Sequence, residues 1–112
     1  MSEMVIKRNG SVVPYDGSKI VTAIEKANGT VSEYRQLSDA KIQAIEAEIH
    51  KHVLASPDAV SIEDIQDMVE IGIMEMRGYE VAQKYIRYRY MRNLCRKQGS
   101  INLHFFKSKV RQ

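Results

Sequence analysis

The chain has 112 residues, 44% of them apolar, which suffices for one compact core, leaves no room for two, and excludes wholesale disorder. Its 17 Lys and Arg against 14 Asp and Glu give a formal charge of +3, a bias too mild for a dedicated nucleic-acid binder. The single cysteine, Cys95, excludes an internal disulfide and a thiolate zinc site and predicts a reduced, cytoplasmic setting.

The N-terminal residues carry Lys7, Arg8 and Asp16 with no long apolar run, so no signal peptide is predicted. No apolar stretch approaches the ~20 residues that span a bilayer, so no membrane partner is expected. In "VIKRNGSVVPY" the Asn9-Gly10 pair lies between two short apolar runs. Asn-Gly tolerates positive φ at both central positions, which predicts a hairpin closed by a type I′ turn. Pro14 cannot donate to a ladder and places the second strand at a sheet edge, or ends it.

Asp16 or Ser18 can cap a first helix with the stripe Ile20, Ala23, Ile24 and Ala27, stopping at Asn28-Gly29. A second helix runs from about Ser38 to Leu54 on Ile42, Ile45, Ile49 and Val53, closed off by Pro57. The third starts at Ser61, where Ser61-x-x-Asp64 resembles a capping box with the shorter acid. Its stripe is Ile62, Ile65, Met68, Val69, Ile73 and Met76, with Gly78 as the stop. The fourth runs from near Tyr79 to about Lys97, where Gly99-Ser100 punctuates it. The fold class predicted is α+β, mainly α: a four-helix bundle capped by a small β-hairpin or three-stranded sheet. Residues 1–3 are expected to be a disordered start, 4–98 the domain, and 99–112 a basic tail, a linker or an extra strand on the alternating Ile101, Leu103 and Phe105.

Catalytic chemistry finds little support. Glu63, Asp64 and Asp67 read as a solvated helix face. His50 and His52 are two apart and point to different faces, a poor metal pair, and His104 lies in the tail. Cys95, beside Arg92 and Arg96, reads as a helix residue without reactivity, and no P-loop-type glycine run is present. The cations are more informative. Lys7 and Arg8 sit on the hairpin, pointing to opposite faces if the strand is ideal. Lys19 sits in the first turn of the first helix, where free N–H groups favour an anion. Arg89, Arg92 and Arg96 form one stripe on the fourth helix, begun by Tyr85 and flanked by Tyr88 and Tyr90. Cations converging from several elements suit a polyphosphate. The competing reading makes them solvated surface charge, and for Lys26, Lys41, Arg87 and Lys97 that reading is preferred.

"VIKRNGSVVPYDGSKI" is similar to the opening of the ATP-cone domain, V-x-K-R-D/N-G-x-x-x-x-F/Y-D-x-x-K-I, and "VSIEDIQDMVE" and "AQKYIRYRYMR" look like that family's third- and fourth-helix signatures, in the same order. The resemblance covers about residues 4–97. It implies a small sheet capping a four-helix bundle, and an activity switch that binds ATP or dATP, with Mg2+ brought by the phosphates and no metal ligand from the protein. By resemblance, Lys7 and Arg8 meet phosphates, with Val5 and Ile6 beside the nucleotide. Asp16, Lys19 and Ile20 line the base and phosphate side. Ile62 and Gln66 match positions facing the nucleotide, where aerobic reductase cones often carry Thr and His. Arg92 matches a basic phosphate-binding position, and Arg89 assists.

Such cones stand at the N-terminus of ribonucleotide reductases and in a repressor of their genes. The repressor carries a four-cysteine zinc ribbon before its cone, which this chain does not, while "YIRYRYMR" and the short start look most like the anaerobic, glycyl-radical reductase. The resemblance therefore implies that enzyme's regulatory domain or a free-standing cone, not an enzyme by itself, without the catalytic barrel and acting on oligomeric state. Its expected partners are adenine nucleotides and the reductase catalytic domain or other cones, including a homo-oligomer. Two alternatives compete: a nucleic-acid-binding or transcription-regulatory module using the Arg/Tyr-rich fourth helix, and an oligomerisation domain with the Met-rich third helix as interface.

Overall fold

The computed structural model describes residues 3–111, with side chains from 3 to 95. Residues 1, 2 and 112, and the side chains of Arg96 and His104 weighed above, lie outside it. Strand β1 is Met4–Ile6, β2 Val12–Pro14 and β3 Val60–Ser61, and the four helices are α1 Gly17–Asn28, α2 Asp39–Ala55, α3 Ile62–Glu75 and α4 Tyr79–Arg111. A single 3-10 turn over Glu33–Arg35 lies between α1 and α2. The mainly helical α+β class expected from the sequence is the one found.

The sheet has the order β2-β1-β3. β1 pairs antiparallel with β2, Met4 opposite Pro14, and parallel with β3, Val5 opposite Val60. Pro14 thus sits on an edge strand, as its missing N–H requires. β3 was not legible: two residues are too short to show alternation, and they run straight into α3.

The hairpin differs from the expected type I′ turn. Gly10 has φ +89° while Asn9 stays at negative φ. Gly10 N donates to Lys7 O at 2.9 Å and Lys7 N to Ser11 O at 2.8 Å. The loop is therefore three residues, Arg8-Asn9-Gly10, with Arg8 and Asn9 central in the turn and glycine in the left-handed position that closes it. Asn9 Oδ1 accepts from Ser11 N at 3.0 Å and Ser11 Oγ at 2.7 Å, which favours this arrangement.

The helix starts match the expected caps. Asp16 Oδ1 accepts from Ser18 N, Ser38 Oγ from Lys41 N and Ser61 Oγ from Asp64 N. At the end of α3 the left-handed residue is Arg77, φ 66°, not the expected Gly78. Gly78 is needed for a different reason: a Cβ there would lie 2.8 Å from Leu37 Cδ2. The fourth helix also departs from expectation. It continues through Gly99-Ser100 to Arg111, so the backbone of 99–111 is helical rather than an added strand. A lone glycine costs a helix only about 1 kcal/mol relative to alanine, and no proline follows to force a stop.

The core joins Ile24 of α1, Ile42, Ile45, Ile49 and Val53 of α2, Ile65, Val69 and Ile73 of α3, and Val81 and Ala82 of α4, with Val5 and Val60 from the sheet. Each of the larger aliphatic side chains contributes roughly 1.5–3 kcal/mol by leaving water. The expected stripes supply most of it; Ala23, Ile62, Met68 and Met76 pack at its margin, partly exposed. The sheet closes one end of the bundle, and its hairpin overhangs the space between α1, α3 and α4. Among the described residues no helix is long and apolar enough to cross a membrane.

Candidate functional site

That overhang encloses a cleft of about 500 Å³. Of the residues that the family resemblance assigns to the nucleotide, all line it except Ile6: Val5, Lys7 and Arg8 from the β1 side, Asp16, Lys19 and Ile20 from α1, Ile62 and Gln66 from α3, and Arg89 and Arg92 from α4. Ile6 is placed elsewhere because successive strand residues face opposite ways, and Val5 takes the cleft side.

The floor is apolar. Val5, Ile20, Ile65, Val69 and Tyr85 are all buried and line it. Burial pushes the Tyr85 hydroxyl up to about 12, against the opposing pull of Arg89. The phenol is therefore neutral at physiological pH and keeps a proton to donate.

The rim is cationic, in two distinct sets. Arg8 and Arg89 are engaged with α3. Arg8 Nη1 pairs with Glu63 Oε2, and Arg8 Nη2 donates to Gln66 Oε1 at 2.7 Å. Arg89 meets Glu63 Oε1 at 2.6 Å, Asp67 Oδ1 at 2.8 Å and Glu70 Oε2 at 2.6 Å. Burial opposes the Arg89 charge, but the Asp67 and Glu70 carboxylates outweigh it and hold the guanidinium pKa above its usual value. The second set is Lys7, Lys19, Lys26 and Arg92, for which the described residues provide no ion pair. Arg92 Nη1 donates to the Tyr88 hydroxyl at 3.0 Å, a neutral acceptor.

Placing Arg8 in the turn rather than on the strand resolves the conflict that strand alternation posed. β1 ends at Ile6, so Lys7 and Arg8 no longer alternate and both side chains reach one cleft. At the mouth, Asp16 is held below the usual carboxylate range by the Ser18 hydroxyl first, then by the Ser18 amide, with the Lys19 charge adding to it. An ionised acid therefore stands beside Lys19 at the start of α1.

Sequence reasoning missed several lining residues. Lys26 is exposed, as expected, but it also lines the cleft with Lys19, seven residues earlier on the same face of α1, and Thr22 between them. That spacing was the available signal. Tyr15 also lines the cleft; its hydroxyl donates to Glu46 Oε2 at 2.8 Å and its ring stacks on His50 at 4.7 Å. Among the described residues no group of three or more His, Cys, Asp or Glu side chains is arranged to hold a metal ion.

The family model described as the ATP cone domain matches residues 3–94. The chain belongs to the ATP-cone family. Its cone is 33% identical to the vitamin B12-dependent ribonucleoside-diphosphate reductase of Thermoplasma acidophilum, over 90% of this chain and 13% of that protein. It is 38% identical to the ribonucleoside-diphosphate reductase subunit alpha of Chlamydia trachomatis, over 79% of this chain and 9% of the relative. With the anaerobic ribonucleoside-triphosphate reductase of Haemophilus influenzae it shares 35% identity, over 86% of this chain and 13% of the relative. The cone thus spans a small fraction of each of these reductases, and its relatives include both anaerobic and other reductase classes.

Proposed function

We propose that this cone is an allosteric domain that binds ATP or dATP and thereby regulates a ribonucleotide reductase of the anaerobic class. One observation carries the reading. Lys7, Lys19, Lys26 and Arg92 come from three separate elements to one cleft with an apolar floor, and among the described residues none of the four is in an ion pair, Asp16 only standing near Lys19. A triphosphate supplies the missing negative charge, and a purine suits the surface made by Val5, Ile20 and Ile62. Asp16, ionised and acceptor-only, repels phosphate and suits a ribose hydroxyl or an exocyclic amine. Mg2+ would arrive on the phosphates.

Regulation needs differential affinity for two states of the reductase, typically worth ~1–3 kcal/mol of coupling. A change of assembly is the form proposed: Ile71 and Met74 on α3, with Ile86 and Tyr90 on α4, leave apolar surface exposed for a partner cone or the catalytic domain. ATP and dATP differ by one hydroxyl, which a desolvated contact can distinguish.

Calorimetric titration of the chain with ATP and with dATP, in the presence of Mg2+, tests the reading. Saturable binding of either supports it; no heat and no thermal shift with both refutes it. The nucleic-acid alternative draws on exposed Tyr90. It requires an affinity that falls steeply with salt and no preference for mononucleotides, so repeating the titration at two salt concentrations separates the two.

A further inference from the structure

We infer that Glu63 is a resident anion, which occupies Arg8 and Arg89 and which the phosphates of an incoming ligand must displace. The inference rests on the nucleotide reading above. Its geometry is specific. One carboxylate oxygen of Glu63 meets Arg8 Nη1 and the other accepts from Arg89 Nη2 at 2.6 Å, so a single side chain bridges two elements that both line the cleft. Arg8 belongs to the hairpin loop and Arg89 to α4, whereas Glu63 stands in the first turn of α3. The bridge therefore fastens the loop over the cleft to the helical bundle.

The competition is between like chemistries. A carboxylate and a phosphate offer the same guanidinium fork a pair of anionic oxygens. Glu63 is about half exposed, its side chain retaining 48% of its accessible surface, so it can swing into water when displaced without leaving a buried charge behind. Arg89 keeps Asp67 and Glu70 after such an exchange. Arg8 keeps the Gln66 hydrogen bond and exchanges the Glu63 carboxylate for phosphate. The exchange thus acts mainly on Arg8, and it loosens the hairpin loop's hold on α3, which the Gln66 hydrogen bond maintains. Binding would be weakened by the cost of breaking the bridge, while the loosened loop gives ligand occupancy a structural consequence.

The test compares Glu63→Gln with Asp67→Asn. Both remove one negative charge from the first half of α3, but Asp67 touches only Arg89 and leaves the Arg8 bridge intact. Calorimetry with ATP and with inorganic tripolyphosphate is run on the wild-type chain and on both variants. E63Q is expected to bind both ligands about tenfold more tightly, the scale of a ~1.4 kcal/mol coupling, and D67N within about twofold of wild type, as for an exposed pair screened by salt. Equal gains in the two variants reduce Glu63 to general electrostatics and overturn the inference. Wild-type binding without a gain in E63Q overturns the inference alone, whereas absence of binding by every protein refutes the nucleotide reading along with it. Should E63Q fail to fold, Glu63→Asp, too short to reach both arginines, reads the same quantity at unchanged net charge and is expected to gain as well.

Discussion

Arg92 is held by Tyr88, one helical turn before it: its Nη1 donates to the phenol oxygen at 3.0 Å and its guanidinium carbon lies 5.7 Å from the ring centroid. This contact positions the guanidinium at the cleft without neutralising it, since phenol is uncharged at neutral pH. Arg92→Ala is therefore expected to weaken ATP binding about tenfold, the usual worth of one charge-assisted hydrogen bond, with thermal stability nearly unchanged. Arg92→Lys should recover only part of the loss, because an ammonium lacks the planar fork. Titration calorimetry with parallel melting curves checks both. Unchanged affinity in R92A would remove Arg92 from the site.

Arg89 lies in the same stripe and is predicted to behave in the opposite way. Its side chain is 14% exposed and meets three carboxylates, so its removal leaves Glu63, Asp67 and Glu70 facing one another. Those acids keep access to water, which limits the loss to about 1–2 kcal/mol. Urea unfolding of Arg89→Ala should show that loss, whereas R92A shows almost none. Equal stabilities for the two variants would contradict the partition of the cations into an engaged set and an available set.

The two tight positions around α3 and α4 separate conformational strain from steric strain. Gly78→Ala pushes a methyl against Leu37 and is expected to cost roughly 1–3 kcal/mol, the usual range for overpacking. Arg77→Gly should stabilise by about 1 kcal/mol, since Arg77 holds a left-handed φ of 66° that glycine adopts freely. Opposite signs for neighbouring residues, measured by urea unfolding, are the signature to look for.

Much of this was legible in the sequence, and the failures have identifiable causes. The stripe Ile42, Ile45, Ile49 and Val53 is buried in full because one helix face meets one core. Ser38 and Ser61 announce their helices because capping is local chemistry. The hairpin itself was legible from Asn9-Gly10, but its loop length was not. Two-residue and three-residue loops both accept glycine with positive φ, and the choice fell to the Asn9 and Ser11 contacts. β3 was hidden because two residues carry no period. The cleft's membership was read largely from the family pattern, whereas the pairing state of its cations was not readable at all. Whether Arg8 faces a carboxylate or open space depends on how α3 is rotated beneath the hairpin, and Glu63 and Arg8 are 55 residues apart.

Alkaline titration gives the remaining test, and it reports on the cleft floor. The Tyr85 hydroxyl has its pKa raised by burial from 10.0 to about 12. A group whose folded pKa lies above its unfolded one favours the folded state fully below the unfolded value. That contribution is then lost as pH rises towards the folded value. Between pH 10 and 12, then, the unfolded chain releases this proton while the folded chain retains it. Stability should fall at up to about 1.4 kcal/mol per pH unit for this one group. Tyr15 adds to the slope in the same direction, because burial and its hydrogen bond to Glu46 raise its pKa as well. Tyr85→Phe keeps the ring and removes the titrating hydroxyl, so unfolding curves at pH 8 and pH 11 should converge towards each other in the variant. If Y85F loses as much stability over that interval as the wild type, the hydroxyl is not held in the dry environment that the cleft floor requires.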